Sequence, residues 1–183
     1  MESRLALASQ WVLNRLGRHV LSLGGASLPS VVGDLLRERT ATLAVAESCT
    51  GGRIANWLTD VSGSSDYFLF SGVTYSNDAK TKVLGVAPEL LEKYGAVHEE
   101  TAKAMAEGAR RISGATYAIS TTGIAGPTGG SDDKPVGTVC IGLATPEKVE
   151  ARRFHFPFGQ RSMNKSIFGM VALNMLRKEI MNR

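Results

Sequence analysis

The chain has 183 residues, 43% of them hydrophobic, with 20 glycines and a formal charge of +4, enough for one sizeable core plus a short appendage and too little for two comfortable domains. No apolar run reaches the length of a membrane span, no charged-then-apolar leader opens the chain, and neither the cysteines (Cys49, Cys140) nor the histidines (His19, His98, His155) show metal-ligand or disulfide spacing. The basic residues are dispersed rather than interleaved with aromatics, so the composition speaks against nucleic-acid binding and against a metal or cofactor, and for a cytoplasmic α/β protein that could take a small phosphate-bearing ligand.

Residues 1–20 place Leu5, Ala8, Trp11, Val12, Leu16 and Val20 at helical spacing, and LSLGGASLP then breaks the helix. We expect residues 1–29 to be a helix and linker, and residues 30–183 to form the principal domain. Ser30 is expected to cap a helix over 31–39 that buries Val31, Val32, Leu35 and Leu36. A short apolar strand over 42–46 follows, then ESCTGG, then a helix over 53–59. After a polar loop over 62–66, YFLFSGVTY (67–75) reads as a strand.

Asn77 caps the next predicted helix, which carries Lys80 and Lys82 and stops at Gly85, and Pro88 opens the short helix PELLEKYG. Residues 98–112 form a helix with Ala102, Met105, Ala106, Ala109 and Ile112 inward. A strand over 116–121 runs into GIAGPTGG, strands over 136–144 and 149–156 form a hairpin around Pro146, and a last helix over 161–180 stacks Ile167, Met170, Val171, Leu173, Leu176 and Ile180 on the sheet. Alternating helices and strands that close with a strand pair predict a three-layer α/β/α sandwich with a mixed sheet. In such sheets the strand C-termini share one edge, where Ser48, Tyr75 and the Gly123 loop would meet.

The turn Glu47-Ser48-Cys49-Thr50-Gly51-Gly52 joins a buried strand to a helix, so unpaired amides and the positive end of a helix dipole face it. Such a turn suits an anion or a nucleophile, and equally a plain helix cap by Ser48 or Thr50. No lysine follows the glycines as in a P-loop, and Glu47 and Cys49 replace the glycines of a G-x-S-x-G elbow.

AESCTGG after a short strand, then SGVTYSNDAK, then TTGIAGPTGGSDDKPVGTV, resembles in order and spacing the C-terminal domain of the CinA family. The likeness runs from about Ser30 to the C-terminus, and it implies that residues 1–29 are the remnant of a preceding domain. Characterised members of that family are nicotinamide-nucleotide amidohydrolases of pyridine nucleotide metabolism and NAD salvage, so the resemblance implies a hydrolase that converts nicotinamide mononucleotide to nicotinate mononucleotide and ammonia, working as a homo-oligomer, a dimer. It implies Ser48 as nucleophile, Lys80 as general base and Tyr75 as relay or orienting group. The family name also carries an alternative, a non-catalytic interaction module linked to competence or DNA damage.

The residues are compatible with the enzyme reading. A serine needs a base, no histidine is placed to serve, and a lysine drained of water loses its proton more readily. Lys80 follows Tyr75 by five residues, across one strand-to-helix corner, although a solvated Lys80 and a rim Tyr75 fit the local sequence too. Backbone amides of Cys49, Thr50 and Gly51 are the expected oxyanion donors. Cys49, at a helix start, is the rival nucleophile. The glycine loop brings Thr122, Gly123 and Gly126 to the substrate, and Arg161 is suited to a 5′-phosphate or to plain solvation.

Overall fold

The computed structural model describes residues 2–182. Five strands, β1 (Leu43–Glu47), β2 (Phe68–Val73), β3 (Tyr117–Gly123), β4 (Thr138–Ala144) and β5 (Val149–His155), form one sheet in the order β2-β1-β3-β4-β5. The pairs β1–β2 and β1–β3 are parallel, and β3–β4 and β4–β5 antiparallel. The sheet is therefore mixed, as expected, and the C-terminal ends of β1, β2 and β3 lie side by side. The chain crosses from β1 to β2 on one side and then to β3 on the other, which makes the end of β1 the switch point where open sheets hold ligands.

Side-chain alternation sorts the strands between two cores. Leu43, Val45, Tyr117 and Ile119 face a core shared with α2 (Leu28–Glu38), α3 (Arg53–Thr59) and α7 (Arg161–Met181). Ala44, Ala46 and Ala118 face the other core, built with α4 (Asn77–Leu84), α5 (Pro88–Tyr94) and α6 (Glu99–Ser113). That second face is small because α6 lies tight against it. A Cβ on Gly142 would stand 2.3 Å from the Ala102 carbonyl oxygen, and Ser120 Oγ donates to the same oxygen at 2.6 Å.

Several expectations are corrected. Ser27, not Ser30, caps α2: its hydroxyl accepts the Ser30 amide, and Pro29 sits in the first turn, where no N–H is needed. Ser76, not Asn77, caps α4 by accepting the Ala79 amide at 3.0 Å. Ile112 is exposed at the end of α6. On α7 the buried stripe is Phe168, Ala172, Leu173, Leu176 and Ile180, while Met170 is exposed and Ile167 and Val171 are only half-buried. Strand β2 stops at Val73, so Thr74 and Tyr75 lie past its end.

The first helix, α1 (Glu2–Leu16), leads through a short turn (Gly17–His19) toward α2. Leu5, Leu7, Trp11, Val12 and Leu16 along it are exposed. Among the described residues, no helix is long and apolar enough to cross a membrane.

Candidate active site

The end of β1 is held from both sides. Thr74 N–H donates to the Glu47 carbonyl at 2.8 Å and Ser48 N–H donates to the Thr121 carbonyl at 3.0 Å, so the serine begins a turn clamped between β2 and β3. The alternation of β1 continues into the turn, placing Ser48 with Ala44 and Ala46 on the α4 side, while Cys49 packs in the core of α2, α3 and α7.

Facing Ser48 is Lys80, on the first turns of α4 and fully buried. Its Nζ lies 3.3 Å from Ser48 Oγ, 3.0 Å from the Thr74 carbonyl oxygen and 3.1 Å from that of Tyr75. Among the described residues no carboxylate pairs with it. Burial lowers its pKa from the ordinary 10.5, a shift only partly opposed by Cys49. Carbonyls can only accept. As an ammonium Lys80 donates to all three oxygens; as the neutral amine that its lowered pKa favours, it can give its two N–H groups to Thr74 and Tyr75 and keep its lone pair for the Ser48 hydroxyl. This is the arrangement a serine nucleophile with a lysine base requires.

Cys49 is a different case. Burial, reinforced by the nearby Glu47 carboxylate, pushes its thiol up to about 12, so the expected depression at a helix start does not occur. Burial thus argues against the thiolate rival, although Cys49 shares the cavity wall with Ser48.

The turn is not capped by Ser48 or Thr50. Gly52 takes the N-cap position at φ 86°, and the Glu47 carboxylate accepts the amides of Ile54 at 3.3 Å and Ala55 at 3.0 Å. The anion at this helix start is thus a residue of the chain itself. Thr50 is buried, with its hydroxyl bonded to Thr121 Oγ1 at 2.7 Å. Gly51 N–H donates within the turn to the Ser48 carbonyl at 3.1 Å, which takes it out of the set of oxyanion donors. Among the described residues the Thr50 amide has no such partner.

A cavity of about 260 Å³ opens in front of the pair, lined by Ser48, Cys49, Tyr75, Lys80, Thr122, Gly123, Gly126 and Arg161 of the expected residues. Thr50 and Gly51 are not on its wall. Thr122 Oγ1 donates to the Ala96 carbonyl at 2.6 Å, so its proton is already committed. Arg161 reaches in from α7, donating to the Gly126 carbonyl at 2.8 Å and to the Tyr75 hydroxyl at 3.0 Å. Gly126 has φ 82°, and a Cβ there would meet Val136 Cγ1 at 2.4 Å, so this bend of the loop requires glycine. A roomier cleft of about 440 Å³ lies along α7 and the linker, but its walls are largely aliphatic, with Leu21, Leu28, Ile167, Met170 and Val171, and it lies away from the strand ends.

A family model described as the CinA C-terminal domain matches residues 25–180. The chain belongs to the CinA family. The CinA-like protein of Desulfosudis oleivorans is 56% identical over 174 residues, which cover 95% of this chain and 42% of that protein. The CinA-like protein of Geobacter metallireducens is 49% identical, over 93% of this chain and 41% of its own. The chain thus spans about two fifths of the length of these curated relatives. Among solved structures, a competence-damaged protein (CinA) superfamily protein from Klebsiella pneumoniae aligns with TM-score 0.81 at 32% identity, covering 85% of this chain and 97% of that one. The competence/damage inducible protein CihA from Agrobacterium tumefaciens gives 0.79 at 36% identity, covering 86% and 98%.

In this CinA domain, residues that sequence reasoning passed over complete the site. Ala96 and Val97, between α5 and α6, form a wall of the cavity. Nothing in their local sequence marks them, because they arrive through the packing of α6. Asn164, fully buried on α7, donates to the carbonyls of Ala125 at 3.0 Å and Phe158 at 2.7 Å and so fixes the glycine loop to the start of that helix. Glu47 carried a signal that could have been used, a carboxylate in phase with Leu43 and Val45 on an otherwise apolar strand.

Proposed function

We propose that this CinA domain is an amidohydrolase that deamidates nicotinamide mononucleotide. The observation that carries the reading is the buried Lys80 amine, tied to two carbonyls and facing the Ser48 hydroxyl at 3.3 Å. The pyridine-nucleotide substrate rests on the resemblance of the motifs around Ser48, Tyr75 and Lys80 to those of characterised members.

In this reading Ser48 Oγ attacks the carboxamide carbon while Lys80 accepts the hydroxyl proton. The oxyanion develops beside the turn, where Cys49, alone of the three expected donors, lines the cavity. Collapse breaks the C–N bond, Lys80 returns the proton to the leaving nitrogen, and ammonia departs. Water, deprotonated by Lys80, then attacks the nicotinoyl ester, releasing nicotinate mononucleotide and restoring Ser48. Tyr75 orients through its main-chain carbonyl, which holds Lys80, and through its phenol, which meets Arg161. Arg161 has further N–H groups with which to take the 5′-phosphate.

A non-catalytic module gives no reason to bury a lysine. Withdrawing an ammonium from water with no carboxylate partner costs several kcal/mol, a cost that a catalytic base would justify. We place the domain in the cytoplasm, as a dimer, with α1 and the linker an appendage to a domain that begins at the Ser27 cap of α2.

The test is to incubate the protein with nicotinamide mononucleotide and identify both products. Ammonia and nicotinate mononucleotide in equal amounts, both lost in Ser48→Ala, are the expected result. Turnover that survives Ser48→Ala removes the serine mechanism, and a wild type that releases no ammonia removes the activity.

A further inference from the structure

We infer that Glu47 is a positioning residue that aims Ser48 at Lys80, by bolting the serine turn to the start of α3. The inference rests on the Ser48–Lys80 reading above and goes beyond it, since Glu47 touches neither the cavity nor the lysine.

Glu47 is the last residue of β1 and fully buried. Two sets of bonds leave it in opposite directions. Its carboxylate reaches across the layer boundary to the Ile54 and Ala55 amides, closing the turn from Ser48 to Gly52 into a ring. Its carbonyl accepts Thr74 N–H, and the Thr74 carbonyl in turn accepts Lys80 Nζ. One residue therefore ties together the strand that ends in the nucleophile, the helix after it, and the segment that holds the base.

The strand's period of two gives this clasp its effect. With Glu47 drawn toward α3, the next side chain must point to the opposite face, where Lys80 lies. A carboxylate suits the task because it is acceptor-only and bears the charge that a helix start favours, so both amides are satisfied at once. Glutamine in its place offers one acceptor oxygen, and its NH₂ group opposes the second amide. The turn should loosen there while the surrounding core remains, and a serine misplaced by a fraction of an ångström loses rate rather than affinity.

The test compares wild type with Glu47→Gln and Glu47→Asp, the latter keeping the charge one methylene short of the amides. Thermal melts check folding, and kcat and KM are measured for ammonia release from nicotinamide mononucleotide. As a readout free of the natural substrate, the acylation rate of Ser48 by p-nitrophenyl acetate is followed, with Ser48→Ala as blank. The expected result for Glu47→Gln is a cooperative melt, kcat lowered at least tenfold, KM within about twofold, and ester acylation slowed in parallel, with Glu47→Asp between it and wild type. Unchanged kcat and acylation in a folded Glu47→Gln variant overturn the inference. A loss carried by KM alone overturns it too. Should both variants fail to fold, Glu47 holds the fold rather than the serine, which is again a refutation. If wild type releases no ammonia, the proposed substrate falls while the acylation ratio still decides the role of Glu47. A wild-type serine that is not acylated defeats the inference itself.

Discussion

Arg161, at the start of α7, donates to the hydroxyl of Tyr75 at 3.0 Å although 86 residues separate them. The same guanidinium holds the Gly126 carbonyl at 2.8 Å, so it links the β2–α4 corner to the glycine loop across the mouth of the cavity. An arginine placed there can act on substrate phosphate, on the shape of the mouth, or on both.

The two roles separate kinetically. For a phosphate anchor, Arg161→Ala raises KM for nicotinamide mononucleotide by about tenfold or more and leaves turnover of the phosphate-free riboside nearly unchanged. Equal losses on the two substrates would leave only the tether to Tyr75 and Gly126.

The lowered pKa of Lys80 has a thermodynamic counterpart. Between the depressed folded value and the ordinary 10.5, the unfolded chain binds a proton that the folded chain does not. Stability contributed by this group is therefore lost as pH falls through that window and regained as it rises. Urea melts at stepped pH should show wild-type stability climbing toward 10.5, and Lys80→Met should lack that component of the slope. Identical slopes would mean that Lys80 is not shifted.

Cys49 should be dispensable to the chemistry. With its thiol pushed up to about 12 by burial, it supplies negligible thiolate near neutrality. Cys49→Ala is expected to keep turnover within a few-fold and to lose about 1 kcal/mol of stability to the small void left behind. Native protein should resist iodoacetamide at this position. A hundredfold loss of turnover would reinstate the thiol as nucleophile.

Helix α1 presents Leu5, Trp11 and Leu16 to solvent, and its substantial packing is confined to the turn that follows it. Removing residues 1–24, which spares the Ser27 cap of α2, should leave activity and cooperative unfolding intact. Loss of folding on this deletion would show that Trp11 and its neighbours are covered in solution, within the protein or across a dimer.

The parts of this fold that could be read from the chain are those whose cause is local. Runs at 42–46, 116–121 and 136–144 announced the strands found at Leu43–Glu47, Tyr117–Gly123 and Thr138–Ala144, and the glycine at 85 ended its helix as expected. Ser27 and Ser30, or Ser76 and Asn77, are nearly equivalent as caps by residue type, and backbone geometry decides between them. What could not be read depends on closure of the whole sheet. Glu47 finds amides seven and eight residues on only because the turn folds back. Ala96 reaches Thr122 only because α6 lies on the small face of the sheet. Gly51 looked like an oxyanion donor until the turn took its amide.

The central claim is that buried Lys80 is the proton acceptor for Ser48, and the most direct measurement is the pH–rate profile of ammonia release from nicotinamide mononucleotide for wild type beside Lys80→Arg. Arginine can donate to the Thr74 and Tyr75 carbonyls, yet it does not lose its proton at accessible pH and so offers no lone pair to Ser48. The account predicts a wild-type rate that rises with pH through a value below 10.5, and a folded arginine variant that lacks this rise and is slower by roughly 10²–10⁴ above it. Near-normal turnover in Lys80→Arg with the same profile would contradict it, and the base for Ser48 would then have to be another group.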